Sequence, residues 1–157
     1  MGENEEAKVG ERLEDITGVT CIYVPVSDVY KSIKWYQENL GYQPSDKERV
    51  EPGMVTAILN IPNRNRNGDM PIPGLRQVVP ALFLHQSDEE GGRLRFTWSM
   101  DDSDKPHAMA CFITPRIEEL INRFKDNGVH IISERMTSGP NITFADPDGN
   151  VWEVWQP

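Results

Sequence analysis

The sequence predicts an α+β protein in which duplicated βαβββ modules form a curved mixed sheet around a cup. The main observation is a strand-like stretch followed by an amphipathic helix that occurs twice along the chain. The apolar positions of the two helices are related by one constant spacing, 88 residues, in the pairs Val29 and Ile117, Ile33 and Ile121, and Tyr36 and Phe124. The second observation is that several short strand-like stretches follow each helix, which is typical of a repeated supersecondary unit.

The first module begins with a strand over residues 17–26, where β-branched and aromatic residues dominate. Ser27 offers an N-cap for the helix that follows, and Gly41 offers its C-terminal stop. Between them, apolar residues recur at helical spacing, at Val29, Ile33, Tyr36 and Leu40. Further strands are predicted at about 47–50, 54–61 and 78–85.

The long loop over residues 62–77 contains three prolines and two glycines, and it carries Arg64, Arg66 and Arg76. One interpretation is a solvated surface loop. The other is a flap over an anionic ligand, because long loops in compact domains are often functional.

Residues 93–100 alternate between polar and apolar side chains. This pattern predicts a half-buried strand that forms a hairpin with the preceding strand and that offers a surface for dimer contacts.

The second module begins with a strand over residues 107–113. Thr114 is the expected N-cap of the second helix, Pro115 fits its first turn, and Gly128 ends it. Three short strands follow, at 129–134, 142–145 and 151–155, and a tight turn over residues 146–150 links the last two.

These elements predict one domain over residues 16–157, after an acidic, disordered tail over residues 1–15. Within the domain, module one covers about 16–86, the hairpin strand covers 93–100, and module two covers about 106–157.

The net charge of −9 argues against binding to nucleic acid or to an anionic membrane surface, because both require clustered positive charge. The acidic N-terminus does not resemble a secretory signal, and two cysteines do not make a disulfide framework. The cytoplasm is the expected compartment.

Two motifs carry a resemblance to a known family. The stretch from Gly18 to Tyr42 contains Ser-Asp at the helix start, the pair Trp-Tyr and then Leu-Gly, and the chain ends with FADPDGNVWEVW over residues 144–155. Both resemble the vicinal oxygen chelate superfamily, which includes glyoxalase I, fosfomycin and bleomycin resistance proteins, and extradiol dioxygenases. The resemblance implies the paired-module fold, a small-molecule ligand in the cup, and a homodimer.

The resemblance also implies a metal ligand from each of four strands, and the chain departs from that pattern. Glu153 matches the last ligand. Cys21 and Met109 stand where the first-strand and fifth-strand histidines are usual, and Met is a poor ligand for a hard cation. A shifted set of His85, His107 and Glu153 could still hold one Zn, Mn, Ni or Fe ion.

Three functions are therefore open. The first is a cup that binds a small molecule with a degenerate metal site; its expected lining is Tyr23, Phe83, Trp98, Met109, Cys111 and Trp155. The second is a metal-dependent lyase, isomerase or dioxygenase acting on vicinal oxygens through the shifted His/Glu set, with Glu153 as ligand or base. The third is a cofactorless enzyme with Cys21 as nucleophile, which needs a neighbouring base.

Overall fold

A computed structural model describes residues 10, 13–62, 79–98, 100 and 104–157. The described residues form two four-stranded sheets and two α-helices, which confirms the α+β class. The elements, in chain order, are β1 (Cys21–Val26), α1 (Val29–Leu40), β2 (Gln43–Pro44), β3 (Thr56–Asn60), β4 (Ala81–Gln86), β5 (Cys111–Ile113), α2 (Ile117–Asp126), β6 (His130–Met136), β7 (Pro140–Ala145) and β8 (Val151–Trp155), with short 3₁₀ helices at Lys47–Arg49 and Glu89–Gly91.

The two sheets have the same topology. The first sheet has the order β1-β4-β3-β2 and the second has the order β5-β8-β7-β6. In each, the strand before the helix pairs in parallel with the last strand of the module, and the remaining neighbours are antiparallel. The duplicated pattern in the sequence is therefore a duplicated pattern of strand pairing.

The first helix has the expected length, but its N-cap differs from the prediction. Asp28, rather than Ser27, has extended backbone angles, and its side chain accepts a hydrogen bond of 3.0 Å from the Lys31 backbone N–H. Gly41 ends the helix at φ 76°, a left-handed conformation that favours glycine. The second helix begins at Ile117, so the predictions of Thr114 as its N-cap and of Pro115 in its first turn are wrong: Arg116 stands at the N-cap without a side-chain cap, and the Thr114 hydroxyl accepts from the Arg116 backbone N–H before the helix.

The strand expected over residues 93–100 is not formed by the described part of that stretch. Phe96 makes one isolated bridge with His107, and the flanking described residues have no strand pairing. The backbone of Leu94 instead bonds to module two: its N–H donates to Asn150 Oδ1 at 2.7 Å, and its carbonyl accepts from the Val151 N–H at 2.8 Å. These hydrogen bonds to module two stand in place of the hairpin that the alternating polar and apolar residues predicted.

Two further strands are shorter or displaced relative to the prediction. Only Cys111–Ile113 of the predicted 107–113 strand is paired in β5, so His107 lies outside it. The predicted strand at 47–50 is a 3₁₀ helix, and the strand that pairs with β3 lies earlier, at Gln43–Pro44.

One apolar core serves both modules, because α1 of the first module packs against the second sheet. Tyr36 on α1 is fully buried and meets Trp152 of β8 edge to face, with ring centroids 6.3 Å apart. Trp35 stacks on Phe144 of β7 at 6.4 Å. The buried apolar residues of the two modules therefore form one continuous cluster.

A buried polar network centred on Asp146 also joins the modules. The Tyr36 hydroxyl donates to Asp146 Oδ2 at 2.6 Å and accepts from Trp152 Nε1 at 3.0 Å. Asn150 donates to Asp146 Oδ2 at 2.7 Å and to the Pro25 carbonyl at 2.8 Å. Burial raises the pKa of Asp146, and the hydrogen bonds from Tyr36 and Asn150 act in the opposite direction.

Arg93 fixes the connection between the modules to the same turn. Its Nε donates to the Asp148 carbonyl at 3.0 Å, and its guanidinium lies 3.8 Å from the Asp148 carboxylate, with both side chains nearly buried. It also donates to the carbonyls of Asp88 and Gly92, at 3.0 and 2.7 Å. The turn at 146–150 therefore binds module one, the connection and module two together.

The expected flap arginines Arg64, Arg66 and Arg76 lie outside the described residues, as does most of the predicted acidic tail. Neither helix in the described part of the chain has the length and apolarity to cross a membrane.

Candidate functional site

Each sheet has one face packed on the core and one face without a covering layer in the described chain. The side chains that point away from the core on β1, β3 and β4 form what we call the first open face: Cys21, Tyr23, Ile58, Phe83 and His85. Those on the second sheet form the second open face: Cys111, Ile113, Arg135, Asn141, Glu153 and Trp155.

The first open face is an aromatic surface. Register places Phe83 between Tyr23 and Ile58, and the tyrosine and phenylalanine rings lie 5.4 Å apart. His85 packs against both rings, at 4.3 Å from Phe83 and 5.3 Å from Tyr23. Tyr23 remains 60% exposed, so this surface can stack against a flat ligand or a protein partner.

The second open face contains a shallow, open cavity of about 380 Å³ with polar and apolar walls. Its walls carry a carboxylate (Glu153), a guanidinium (Arg135) and an indole (Trp155), together with the side chains of Cys111, Thr137, Ser138 and Asn141. A volume of this size falls in the range of small-molecule sites, and the mixed charges can orient a polar ligand.

Glu153 forms a direct hydrogen bond within this cavity. The Cys111 thiol donates to Glu153 Oε1 at 3.2 Å, because β5 and β8 pair with these two residues in register. Burial, followed by the hydrogen bond and charge of Glu153, raises the pKa of Cys111 to about 12. The thiol is therefore protonated at neutral pH and acts as a donor rather than as a nucleophile.

Alkylation of Cys111 tests this arrangement. In a Cys21→Ser background, we expect Cys111 to react with iodoacetamide at pH 8 on the order of a hundredfold more slowly than an ordinary thiol of pKa ~8.5. Glu153→Gln removes the nearby negative charge, so it should raise the rate by roughly tenfold. A rate equal to that of a free thiol, measured by intact-mass spectrometry, would contradict the assignment.

Two polar atoms of the second open face are buried without a hydrogen-bond partner in the described chain, namely Asn141 Oδ1 and Trp155 Nε1. The Trp155 indole lies under the turn at Gly139, where an added Cβ would overlap the Gln156 carbonyl oxygen. Only glycine fits this close approach. An unsatisfied acceptor and an unsatisfied donor beside one cavity are typical of a site that a ligand or water completes.

The residues predicted to hold a metal do not come together in one chain. His85 lies on the first open face, and Glu153 lies on the second. His107 packs between Phe96 and Trp98, with ring centroids 5.5 and 5.7 Å away. Within the described residues no three His, Cys, Asp or Glu side chains form a group that could hold a metal ion, so the chemistry of a bound metal does not fit this single-chain arrangement.

The other predicted site residues are divided between the two surfaces. Cys21 lies at the start of β1, two rows from His85, which corresponds to roughly 13 Å along the strands. At that distance, His85 cannot act as the base for the proposed Cys21 nucleophile. Met109 is 62% exposed and Trp98 is 51% exposed, both outside the paired strands.

The sequence analysis did not identify Arg135 and Asn141 as site residues. Their positions follow from the pairing of β6, β7 and β8, which places Arg135 opposite Asn141 and Asn141 opposite Trp155. The alternation of side chains along β7 could have identified Asn141. The register of β6, which places Arg135, contains an irregularity between Ile131 and Ser133. That irregularity changes which β6 side chains reach the open face.

The comparisons with known proteins agree with this architecture. The model of the Glyoxalase/Bleomycin resistance protein/Dioxygenase superfamily matches residues 18–154. None of the curated protein sequences matches this chain. The chain therefore belongs to the glyoxalase/bleomycin resistance/dioxygenase superfamily, as the two sequence motifs indicated.

Several solved structures share the fold at low sequence identity. The fosfomycin resistance protein FosX from Listeria monocytogenes is 16% identical with a TM-score of 0.57, and the match covers 90% of this chain and 94% of that one. A superfamily member from Sphaerobacter thermophilus is 21% identical with a TM-score of 0.57, covering 90% and 98%. A mutant of the Listeria monocytogenes FosX, in complex with Mn(II) and a dihydroxypropylphosphonic acid, has 16% identity, a TM-score of 0.56 and coverage of 89% and 90%.

Proposed function

We propose that this protein binds a small polar molecule in the cavity of the second open face. The observation that carries the proposal is that Glu153, Arg135 and Trp155 surround one cavity of about 380 Å³. The unpartnered Asn141 Oδ1 and Trp155 Nε1 support it, because a ligand with both donors and acceptors would satisfy them. The aromatic first open face would contact such a ligand only where it belongs to a second copy of the chain.

A ligand screen by thermal shift tests this function. Probes should include 2-oxoaldehyde–thiol adducts, epoxides, phosphonates and catechols, which are classes suggested by the superfamily. We expect a binding probe to lose roughly tenfold in affinity in Glu153→Gln, because a hydrogen bond to a charged group is worth about 1.5–3 kcal/mol.

Glu134→Gln is the matched control, since Glu134 is exposed, lies 3.9 Å from Lys125 and does not line the cavity. Equal losses of probe affinity in the two variants would contradict binding in this cavity. Wild-type affinity in both variants would contradict it as well.

The second candidate function is a metal-dependent lyase, isomerase or dioxygenase that uses His85, His107 and Glu153. It is favoured by the match of Glu153 to the closing motif and by the similar FosX structure that holds Mn(II). Since one chain does not gather these side chains, this function requires them to meet across a dimer. In that case Glu153 would serve as ligand or base.

Metal content separates the two functions. The test is elemental mass spectrometry of the untagged wild type and of Glu153→Gln. If the protein is a metal-dependent enzyme, the wild type should contain about one Zn, Mn, Ni or Fe per chain and the variant should contain none. If the protein holds no metal after loading with each ion, the metal-dependent function is excluded and the binding function remains.

We also propose that the protein is a homodimer that uses its open faces. Large apolar side chains on and beside these faces are exposed, among them Tyr23, Ile58, Phe96, Met109 and Ile113. Light scattering should give twice the chain mass of 17.9 kDa. Tyr23→Glu should yield monomer, whereas Tyr30→Glu, on the exposed side of α1, should not. A monomeric wild type would refute the dimer.

A further inference from the structure

A second cavity lies between the modules. It has a volume of about 380 Å³ and is bounded by the end of α1, the end of β3, the start of β4, β5 and α2. Its apolar walls are formed by Leu40, Ile61, Val79, Phe112, Leu120 and Val154. We call it the inter-module groove. Cys111 borders both this groove and the cavity of the second open face, but its thiol bonds to Glu153.

Arg123 provides the one charged side chain among the described residues that line the groove. Its Nε donates to the Asn39 carbonyl at 3.1 Å, which fixes the side chain at the junction of the two helices. Its two terminal nitrogens make no hydrogen bond or ion pair with the described part of the chain. Arg123 is solvent-exposed, so in a protein with 25 acidic and 16 basic residues its guanidinium is open to an anionic ligand that lies along the apolar wall.

The other polar side chains of the groove, those of Tyr42, Thr114 and Cys111, already take part in hydrogen bonds. Tyr42 is 1% exposed, and its hydroxyl donates to the Pro80 carbonyl at 3.0 Å. Burial raises the pKa of this hydroxyl, so it remains a neutral part of the groove wall. The groove thus offers apolar contact along its length and one cationic donor at one position.

We infer that the inter-module groove binds a small amphipathic carboxylate, with its chain on the apolar walls and its carboxylate on Arg123. A volume of about 380 Å³ lies within the range of small-molecule sites, and decanoate serves as a probe that combines an apolar chain with one carboxylate. A guanidinium presents its donors as a planar fork that matches the two oxygens of a carboxylate. This site is separate from the proposed function and does not depend on it.

Isothermal titration of the full chain with decanoate tests the inference. Decanol and decylamine serve as probes of equal length. Decanoate should bind, and decanol should bind roughly tenfold more weakly, because it lacks the charge-assisted contact. Arg123→Gln should weaken decanoate by about tenfold and leave decanol unchanged, whereas Arg123→Lys should recover part of the loss.

A second pair of variants tests the location. Ile61→Trp fills the groove and should abolish binding of both decanoate and decanol. Val55→Trp adds the same side chain at a position that is 58% exposed and outside the groove, so it should bind like the wild type.

Four outcomes would overturn the site. These are equal affinity for decanoate and decanol, wild-type binding by Ile61→Trp, loss of binding in Glu153→Gln, and conversion of a dimer to monomer by decanoate. The third would place the ligand on the second open face. The fourth, measured by light scattering, would assign the groove to a second copy of the chain.

Discussion

Replacing Asn150 with alanine is expected to lower the free energy of unfolding by about 4 kcal/mol. The Asn150 side chain is fully buried, and three groups depend on it: the Leu94 N–H, the Pro25 carbonyl and the Asp146 carboxylate. Alanine would leave the Leu94 N–H and the Pro25 carbonyl without this partner, and each buried unsatisfied group costs about 1–3 kcal/mol. The Asp146 carboxylate would lose one donor and keep those of the Tyr36 hydroxyl and the Asp148 and Asn150 backbone N–H groups. Urea unfolding, followed by tryptophan fluorescence, measures the difference.

Asn127→Ala is the matched control for this change. Asn127 is exposed, and its side chain donates one hydrogen bond of 3.0 Å, to Asn39 Oδ1. We expect a loss of about 1 kcal/mol or less. If the two asparagine variants had equal stability, the turn at 146–150 would not be the junction that we describe.

Replacing Arg93 with alanine is expected to cost about 3 kcal/mol of unfolding free energy. The Arg93 and Asp148 side chains are only 5% and 10% exposed, so removal of the guanidinium leaves a carboxylate in a nearly buried place without its partner. The change also removes the donors to the carbonyls of Asp88 and Gly92.

Arg49→Ala gives the comparison for an exposed pair. Arg49 lies 3.2 Å from Asp46, a shorter separation than in the buried pair, but its side chain is 86% exposed. Exposed ion pairs contribute about 0–1 kcal/mol, so chemical denaturation should detect little change. A larger loss of unfolding free energy in Arg49→Ala than in Arg93→Ala would mean that the separation of the ions, rather than their burial, determines how much an ion pair stabilises the protein.

The sequence predicted local elements well where the pattern and the packing agreed. The apolar spacing of Val29, Ile33 and Tyr36 predicted α1, since the same three side chains are buried in the core. The alternation over residues 93–100 predicted a strand that does not form among its described residues, because Arg93 and Leu94 bond to the turn of module two. A periodic pattern identifies a face, but it cannot identify which backbone will supply the hydrogen bonds.

The positions of single residues were easier to predict than their assembly into a site. Cys111 and Trp155 were expected to line a cup and Glu153 to be a ligand or base; these three side chains border one cavity, and their part in binding stays a prediction. Tyr23 and Phe83 lie on the first open face, and Trp98 and Met109 lie outside the paired strands. Arg135 could not be placed, because the irregular register of β6 decides its face. The separation of His85, His107 and Glu153 depends on the docking of one module on the other, which neither strand nor helix periodicity specifies.

The junction at residues 146–150 has a consequence for synthesis of the protein. Tyr36 bonds to Asp146 across 110 residues of sequence, and Asn150 bonds to the Pro25 carbonyl across 125. A ribosome that has made all of module one has therefore produced a helix that can pack on its own sheet but that still lacks its contacts with the second sheet. The Trp35 and Tyr36 side of α1 must remain exposed or shielded by a chaperone until residues 144–152 emerge, so a stall before that stretch would release a chain prone to aggregation.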